Sequence, residues 1–329
     1  MSPVGVRGTL SLMRILVTGA AGFIGYHVAQ ALLARGDEVL GVDSLNAYYD
    51  PNLKLARLER LRTHRGFSFL HLDVAEGGPL ADAWDSFSPE RVLHLAAQAG
   101  VRHSIEAPLE YVTANLVGFQ NVVELVRTRQ PQTFVYASSS SVYGGTRDMP
   151  FTEAQPVSSP ISLYAATKIS NELVAKSYAH LFDMPSTGLR YFTVYGPFGR
   201  PDMAIFKFAV AMLEGRPIHV YNRGEMARDF TYVSDIVSGT LSALDRPLVG
   251  RVLNLGRGSP VHLMDTIRLL EQRLGRKASL ELMPMQPGDV KETFADISLA
   301  RDELGYEPRV DLETGVDLFV SWLLEFRGA

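Results

Sequence analysis

Short, nearly continuous apolar runs alternate with longer amphipathic stretches along the chain. Arg14–Thr18, Glu38–Asp43, Phe67–Asp73, Arg91–Ala96, Phe134–Ser138 and Thr187–Phe192 each read as a buried strand. Between them, Tyr26–Arg35, Pro51–His64, Gly78–Phe87, Tyr111–Arg129 and Ile161–Leu181 carry helical spacing, and Gly36 stands where the first helix needs a C-terminal cap. Strands without polar alternation are buried on both faces, so the repeated strand–helix rhythm predicts a doubly wound parallel α/β sheet covered by helices.

The rhythm breaks after residue 192. Gly196-Pro197, Gly199-Arg200-Pro201 and Pro217 interrupt short elements, which predicts a smaller mixed α/β C-terminal region over the sheet's C-terminal edge. Val252–Gly256 reads as one more core strand. The expected organisation is a leader at 1–12, a nucleotide-binding domain at 13–192 rejoined by 232–258, and a substrate region at 193–231 and 259–329.

Composition removes several function classes. The 329 residues are 46% hydrophobic, enough for a large core, and the net charge of −4 gives no pull toward nucleic acid or an anionic membrane. No apolar run reaches the length of a membrane span. There are no cysteines, hence no disulfide or thiolate chemistry, and the eight histidines show no metal-ligand pairing. The expectation is a cytoplasmic protein without metal, nucleic-acid or membrane partners.

The first chemical signal is Thr18-Gly19-Ala20-Ala21-Gly22-Phe23-Ile24-Gly25, which runs from a strand straight into a helix. Gly19 permits the turn, Gly22 admits a pyrophosphate to the backbone, and Gly25 lets the helix pack on the strand. The helix N-terminus then faces the phosphates. Asp43 ends the second strand, where a carboxylate binds ribose hydroxyls and favours NAD over NADP. Together these turn the expected sheet into a Rossmann-type one. Asp73 and Val74 end the third strand on the adenine side. Leu95, Ala96 and Ala97 follow the fourth, where small side chains leave room. Each of these positions alone is also compatible with plain sheet packing.

The second signal is Tyr164 and Lys168, four apart in SLYAATKISNEL, with Ser139 at a strand end 25 residues before the tyrosine. Positions i and i+4 share a helix face. An ammonium beside a phenol favours phenolate, so Lys168 is expected to lower the Tyr164 pKa and make it a proton acceptor. With 13 tyrosines in the chain, the pair by itself also fits a surface helix with one buried ring and one solvated amine.

LVTGAAGFIG, VDSLNAYYDPNLK, HLAAQAGVRHS, YASSSSVYG, SLYAATK, RYFTVYGPFGRPDM, RDFTYVSDI and MPMQPGDV together resemble the extended short-chain dehydrogenase/reductase family, over residues 13 to 326. These are NAD-dependent nucleotide-sugar epimerases and dehydratases, and the stretches are most similar to the branch that epimerises UDP-glucuronate at C4. The resemblance implies NAD as cofactor and UDP-glucuronate/UDP-galacturonate as the substrate pair. It makes Ser139, Tyr164 and Lys168 the catalytic triad, and it places Gly19, Gly22, Phe23, Ile24, Gly25, Asp43, Asp73, Val74, Leu95, Ala96, Ala97, Asn115 and Tyr191 with Tyr164 and Lys168 around the cofactor. On the substrate side it implies Tyr221 near uracil, Arg228 at the diphosphate and Asp289 at the uridine ribose. Gln286 departs from the arginine that many galactose-type epimerases carry there.

Ser140 and Ser141 replace the acidic residues that dehydratases and UDP-glucuronate decarboxylases of the family place before Val-Tyr-Gly, which favours simple epimerisation. Thr193 and Arg200 are the candidates for holding a sugar carboxylate, with Arg102 a further one. A neutral UDP-hexose 4-epimerase, a decarboxylase and a non-catalytic NAD-binding regulator are the competing readings. The resemblance also implies a homodimer built on helices 111–129 and 161–181, where Leu116, Phe119, Val123, Leu173 and Tyr178 are equally readable as core.

Overall fold

The structure is a computed structural model that describes residues 12–286 and 288–328. The leader expected at 1–12 therefore lies outside the described residues except for exposed Leu12.

The main helices and strands up to residue 191 follow in order: β1 (Arg14–Thr18), α1 (Phe23–Ala34), β2 (Glu38–Asp43), α2 (Pro51–Arg62), β3 (Phe67–His71), α3 (Gly77–Phe87), β4 (Arg91–His94), α4 (Gly118–Arg129), β5 (Thr133–Ser139), α5 (Leu163–Phe182) and β6 (Ser186–Tyr191). Next come α6 (Ala204–Leu213), α7 (Val233–Asp245), β7 (Arg251–Leu255), α8 (Leu263–Leu274) and α9 (Leu312–Arg327). The seven strands form one sheet in the order β7-β6-β5-β4-β1-β2-β3, with every pairing parallel. The order reverses between β1 and β4, the crevice where such sheets bind ligands.

Alternate residues of each central strand feed two cores. Ile15, Val17, Leu93 and Val135 point into one layer, and Leu16, Val92, Phe134 and Tyr136 into the other. That is why these strands read as unbroken apolar runs.

Three ribbons build the C-terminal region over the sheet edge. Thr193–Tyr195 pairs with Phe230–Tyr232, Ile218–Val220 with Leu280–Leu282, and Ala227–Arg228 with Val261–His262.

Several expected boundaries move. β3 stops at His71 because the Asp73 carboxylate turns back to accept from Ala75 N–H at 2.9 Å. β4 stops at His94, and the Leu95 and Ala96 N–H groups bond instead to the Thr18 carbonyl and hydroxyl at 3.1 and 3.2 Å. The helix expected from Tyr111 begins with the turn Pro108–Tyr111 and passes through a π-helical stretch, Val112–Val117, before α4. α1 starts at Phe23 rather than Tyr26, directly out of the glycine loop.

Candidate active site

The C-terminal strand ends and the ribbons enclose a cavity of about 1700 Å³. A single drug-sized ligand fills roughly 300–1,000 Å³, so this space suits two ligands side by side. Every expected site residue except Asn115 lines it.

At one end is the glycine loop. Gly19 has φ +74°, and a Cβ there would lie 2.7 Å from the Ala96 nitrogen. A Cβ on Gly25 would lie 2.0 Å from the Gly19 carbonyl oxygen. No side chain caps α1 at Gly22, so the first-turn N–H groups face the cavity as an anion site. Asp43 is buried at the end of β2, where it accepts from Ala21 N–H at 3.1 Å and Leu45 N–H at 2.8 Å. Gln98 is 2% exposed, and its Nε2 has no hydrogen-bond partner among the described residues. A cradle that tolerates no Cβ, an anion-binding helix end and an unpaired amide beside them fit a dinucleotide.

Asn115 sits behind this wall, 1% exposed. Its amide accepts from Gln98 N–H at 2.8 Å and donates to the Gln98 carbonyl and to Thr167 Oγ1, each at 3.0 Å. The Asn171 amide donates at 2.7 Å to the Asn115 carbonyl inside the π-helical stretch. Asn115 thus fixes the end of the fourth strand to α5, and its own side chain stays out of the cavity.

At the centre, Ser162 caps α5 through a bond from Ala165 N–H at 3.1 Å, which sets Tyr164 in the first turn and Lys168 one turn on. The Lys168 ammonium donates to the Ala137 carbonyl at 2.8 Å. Ser139 Oγ, at the end of β5, accepts from the Ser141 N–H and hydroxyl at 3.2 and 2.9 Å. Burial drives the Lys168 pKa down to about 8, with Glu172 opposing.

The Tyr164 pKa is raised, contrary to the direction expected from its sequence neighbour. Burial is the largest cause, and the Ser139 hydroxyl and the field of Arg200 oppose it without overturning it. Behind the loop, burial and Lys168 push His94 down to about 3, so its ring is neutral beside Thr18 Oγ1 at 2.8 Å. Tyr191 lines the same wall with its hydroxyl tied to Thr240 Oγ1 at 3.0 Å.

At the far end, Asp289 accepts from Arg102 Nη2 at 2.8 Å, and the Arg102 guanidinium lies 4.4 Å from the centre of the Tyr221 ring. Arg228 donates to the carbonyls of Ala227, Val290 and Lys291, and burial lowers its pKa. Arg102, an alternative carboxylate ligand in sequence, therefore belongs to the group formed by Tyr221, Arg228 and Asp289. Gln286 stays outside the cavity wall, and its carbonyl accepts from Asp289 N–H at 3.2 Å. Thr193 and Arg200 line the same cavity as Tyr164, with Arg200 paired to Asp202 at 2.5 Å.

The structure brings these parts into one enclosure: a dinucleotide cradle, a Ser-Tyr-Lys set and a basic far end. Residues 15–256 match the NAD dependent epimerase/dehydratase family. The chain belongs to that family. It is 45% identical over 329 residues to a probable UDP-glucuronate 4-epimerase of Rhizobium meliloti, covering 94% of this chain and 96% of that one. It is 47% identical over 330 residues to UDP-glucuronate 4-epimerase 4 of Arabidopsis thaliana, covering 95% and 75%. The crystal structure of UDP-glucuronic acid 4-epimerase from Bacillus cereus, in complex with UDP-glucuronic acid and NAD, superposes with a TM-score of 0.90 at 36% identity, covering 95% of this chain and all of that one.

Four groups around the site were not singled out from the sequence. Arg57, within a Leu- and Arg-rich helix, is wholly buried. Lys54 lies 3.7 Å from Asp43. Tyr48 hydrogen-bonds Asp202 across the cavity. Glu172 bonds Arg190 through both oxygens and Ser138 at 2.5 Å. Only Glu172 was findable, because it continues the i, i+4 spacing of Tyr164 and Lys168 by one more turn.

Proposed function

We propose that this protein is an NAD-dependent UDP-glucuronate 4-epimerase, interconverting UDP-glucuronate and UDP-galacturonate through a transient 4-keto sugar without decarboxylation. The observation that carries the reading is Arg200. A guanidinium lines the sugar space close enough to act on the Tyr164 phenol, while Ser140 and Ser141 stand where acid–base residues of other branches would be. A 6-carboxylate is the part of the sugar that calls for that arginine.

NAD, held by the glycine loop, Asp43 and the strand ends, takes hydride from C4 and returns it to the opposite face, so there is no net redox change. Tyr164 accepts the 4-hydroxyl proton as phenolate and later gives it back. Lys168 holds the positive charge that makes the phenolate possible, and Ser139 donates to the C4 oxygen. Tyr221, Arg228 and Asp289 hold the nucleotide while the sugar turns.

Oxidation at C4 makes a β-keto acid, which loses CO₂ when its C–CO₂ bond stands perpendicular to the ketone plane. Arg200 and Thr193 keep the carboxylate out of that geometry. A homodimer and a cytoplasmic setting belong to the same proposal. Support for the dimer comes from Leu173, 62% exposed on α5. Phe119 and Val123 are buried in the chain's own core, and Tyr178 bonds Gln120 and Glu124 within the subunit.

Purified protein incubated with NAD and UDP-glucuronate tests the reading. UDP-galacturonate is the expected product. A UDP-pentose with CO₂ would assign a decarboxylase, and no product would leave a binding protein.

A further inference from the structure

Loop 196–203, which carries Arg200, is fastened to the cofactor half of the molecule at two points. Arg57 of α2 makes the first. Its Nε and Nη2 donate to the Phe198 carbonyl at 3.2 and 2.7 Å, and its Nη1 donates to the glycine-loop carbonyl of Ala21 and to the Tyr49 hydroxyl, both at 2.7 Å. The second lies in the cavity wall. The Tyr48 hydroxyl donates to Asp202 Oδ2 at 3.0 Å. Asp202 in turn accepts from Arg200 Nε at 3.1 Å and Nη2 at 2.5 Å, and the Arg200 guanidinium lies 5.8 Å from the centre of the Tyr48 ring.

A guanidinium is planar and presents two edges to carboxylates. Asp202 occupies the Nε/Nη2 edge. With that edge fixed and the ring of Tyr48 alongside, the plane of the group is set, and the Nη1/Nη2 edge is the one left for a ligand. We propose that Tyr48 and Asp202 are positioning residues: they brace Arg200 so that its second edge meets the sugar carboxylate in one orientation. Recognition of the carboxylate thereby depends on the loop that follows the cofactor-binding Asp43. The proposal rests on the reading of Arg200 as the carboxylate clamp.

The test compares Tyr48→Phe, Asp202→Ala and Arg200→Ala with the parent protein. Three quantities are read: KM and kcat for UDP-glucuronate, the UDP-pentose share of product, and the Kd for UDP alone. The brace predicts that Tyr48→Phe and Asp202→Ala raise KM roughly tenfold, as expected for loss of one charge-assisted hydrogen bond. It also predicts a larger pentose share and a UDP affinity within about twofold of the parent. A fall in KM for Asp202→Ala overturns it, since Asp202 would then merely compete with substrate for Arg200. An equal loss of UDP affinity also overturns it, as general damage to the cavity. Unchanged KM in Tyr48→Phe and Asp202→Ala beside a raised KM in Arg200→Ala sinks the brace alone. Unchanged KM in all three removes the clamp reading, and the brace with it.

Discussion

Tyr164 and Lys168 were legible as a pair, yet the physics of the pair differs from what spacing alone suggests. Burial pulls the two in opposite directions, the phenol up and the ammonium down to about 8. Each shift comes from burial and neither group acts on the other's, so the phenolate that accepts the 4-hydroxyl proton needs a positive charge kept beside the ring. The sign follows: kcat/KM for UDP-glucuronate rises with pH as the phenol loses its proton, burial holds that limb high, and every cation brought to the phenol moves it lower. Lys168→Met removes the cation expected beside the phenol. A pH–rate profile of that variant is expected to show the limb displaced upward, with activity at pH 7 down by roughly 10²–10⁴-fold. An unmoved limb would take Lys168 out of the proton-transfer step.

The elements hold this site through a buried polar network that joins α5 to β5 and β6. The Glu172 and Arg190 side chains are 6% and 4% exposed and pair at 2.7 Å. Ser138 donates to the same carboxylate. Arg190 also donates to the Tyr143 hydroxyl, which donates to Asn254 of β7. Removing one partner strands the other charge in low dielectric, so Glu172→Gln is expected to cost about 3–5 kcal/mol, read as a lowered urea midpoint.

The strands themselves were legible because they are buried on both faces. β1 and β2 fall where their apolar runs predict them. Strand ends and the π-helical stretch were not legible, because they depend on contacts made across the fold. The Asp73 turn, the Thr18 hydroxyl on Ala96 and the Asn171 amide on the Asn115 carbonyl are side-chain choices that periodicity does not carry. Arg57 is the extreme case. In sequence it is one arginine among several on a polar helix, and only the fold reveals that its guanidinium clasps two loops.

Across the whole molecule, the sheet supplies the floor of the cavity and the C-terminal ribbons supply part of its wall. Glycine loop, triad and Arg200 were expected to meet through the family resemblance, and all of them line one cavity; residue spacing alone does not carry that convergence. Leu109, Val117, Leu173, Leu181 and Phe182 are exposed along the two long helical segments on which the dimer is expected to form. Leu173→Glu is expected to convert a dimer to a monomer in sedimentation velocity. A parent protein that already sediments as a monomer would refute the dimer.

Deuterium at C4 of UDP-glucuronate gives the most direct measurement of the chemistry. With purified protein and NAD, the prediction is UDP-galacturonate that retains the label at C4, with no UDP-pentose formed. Release of the label to water, or UDP-pentose and CO₂ as the main products, would contradict a 4-epimerase that keeps its hydride and protects the carboxylate.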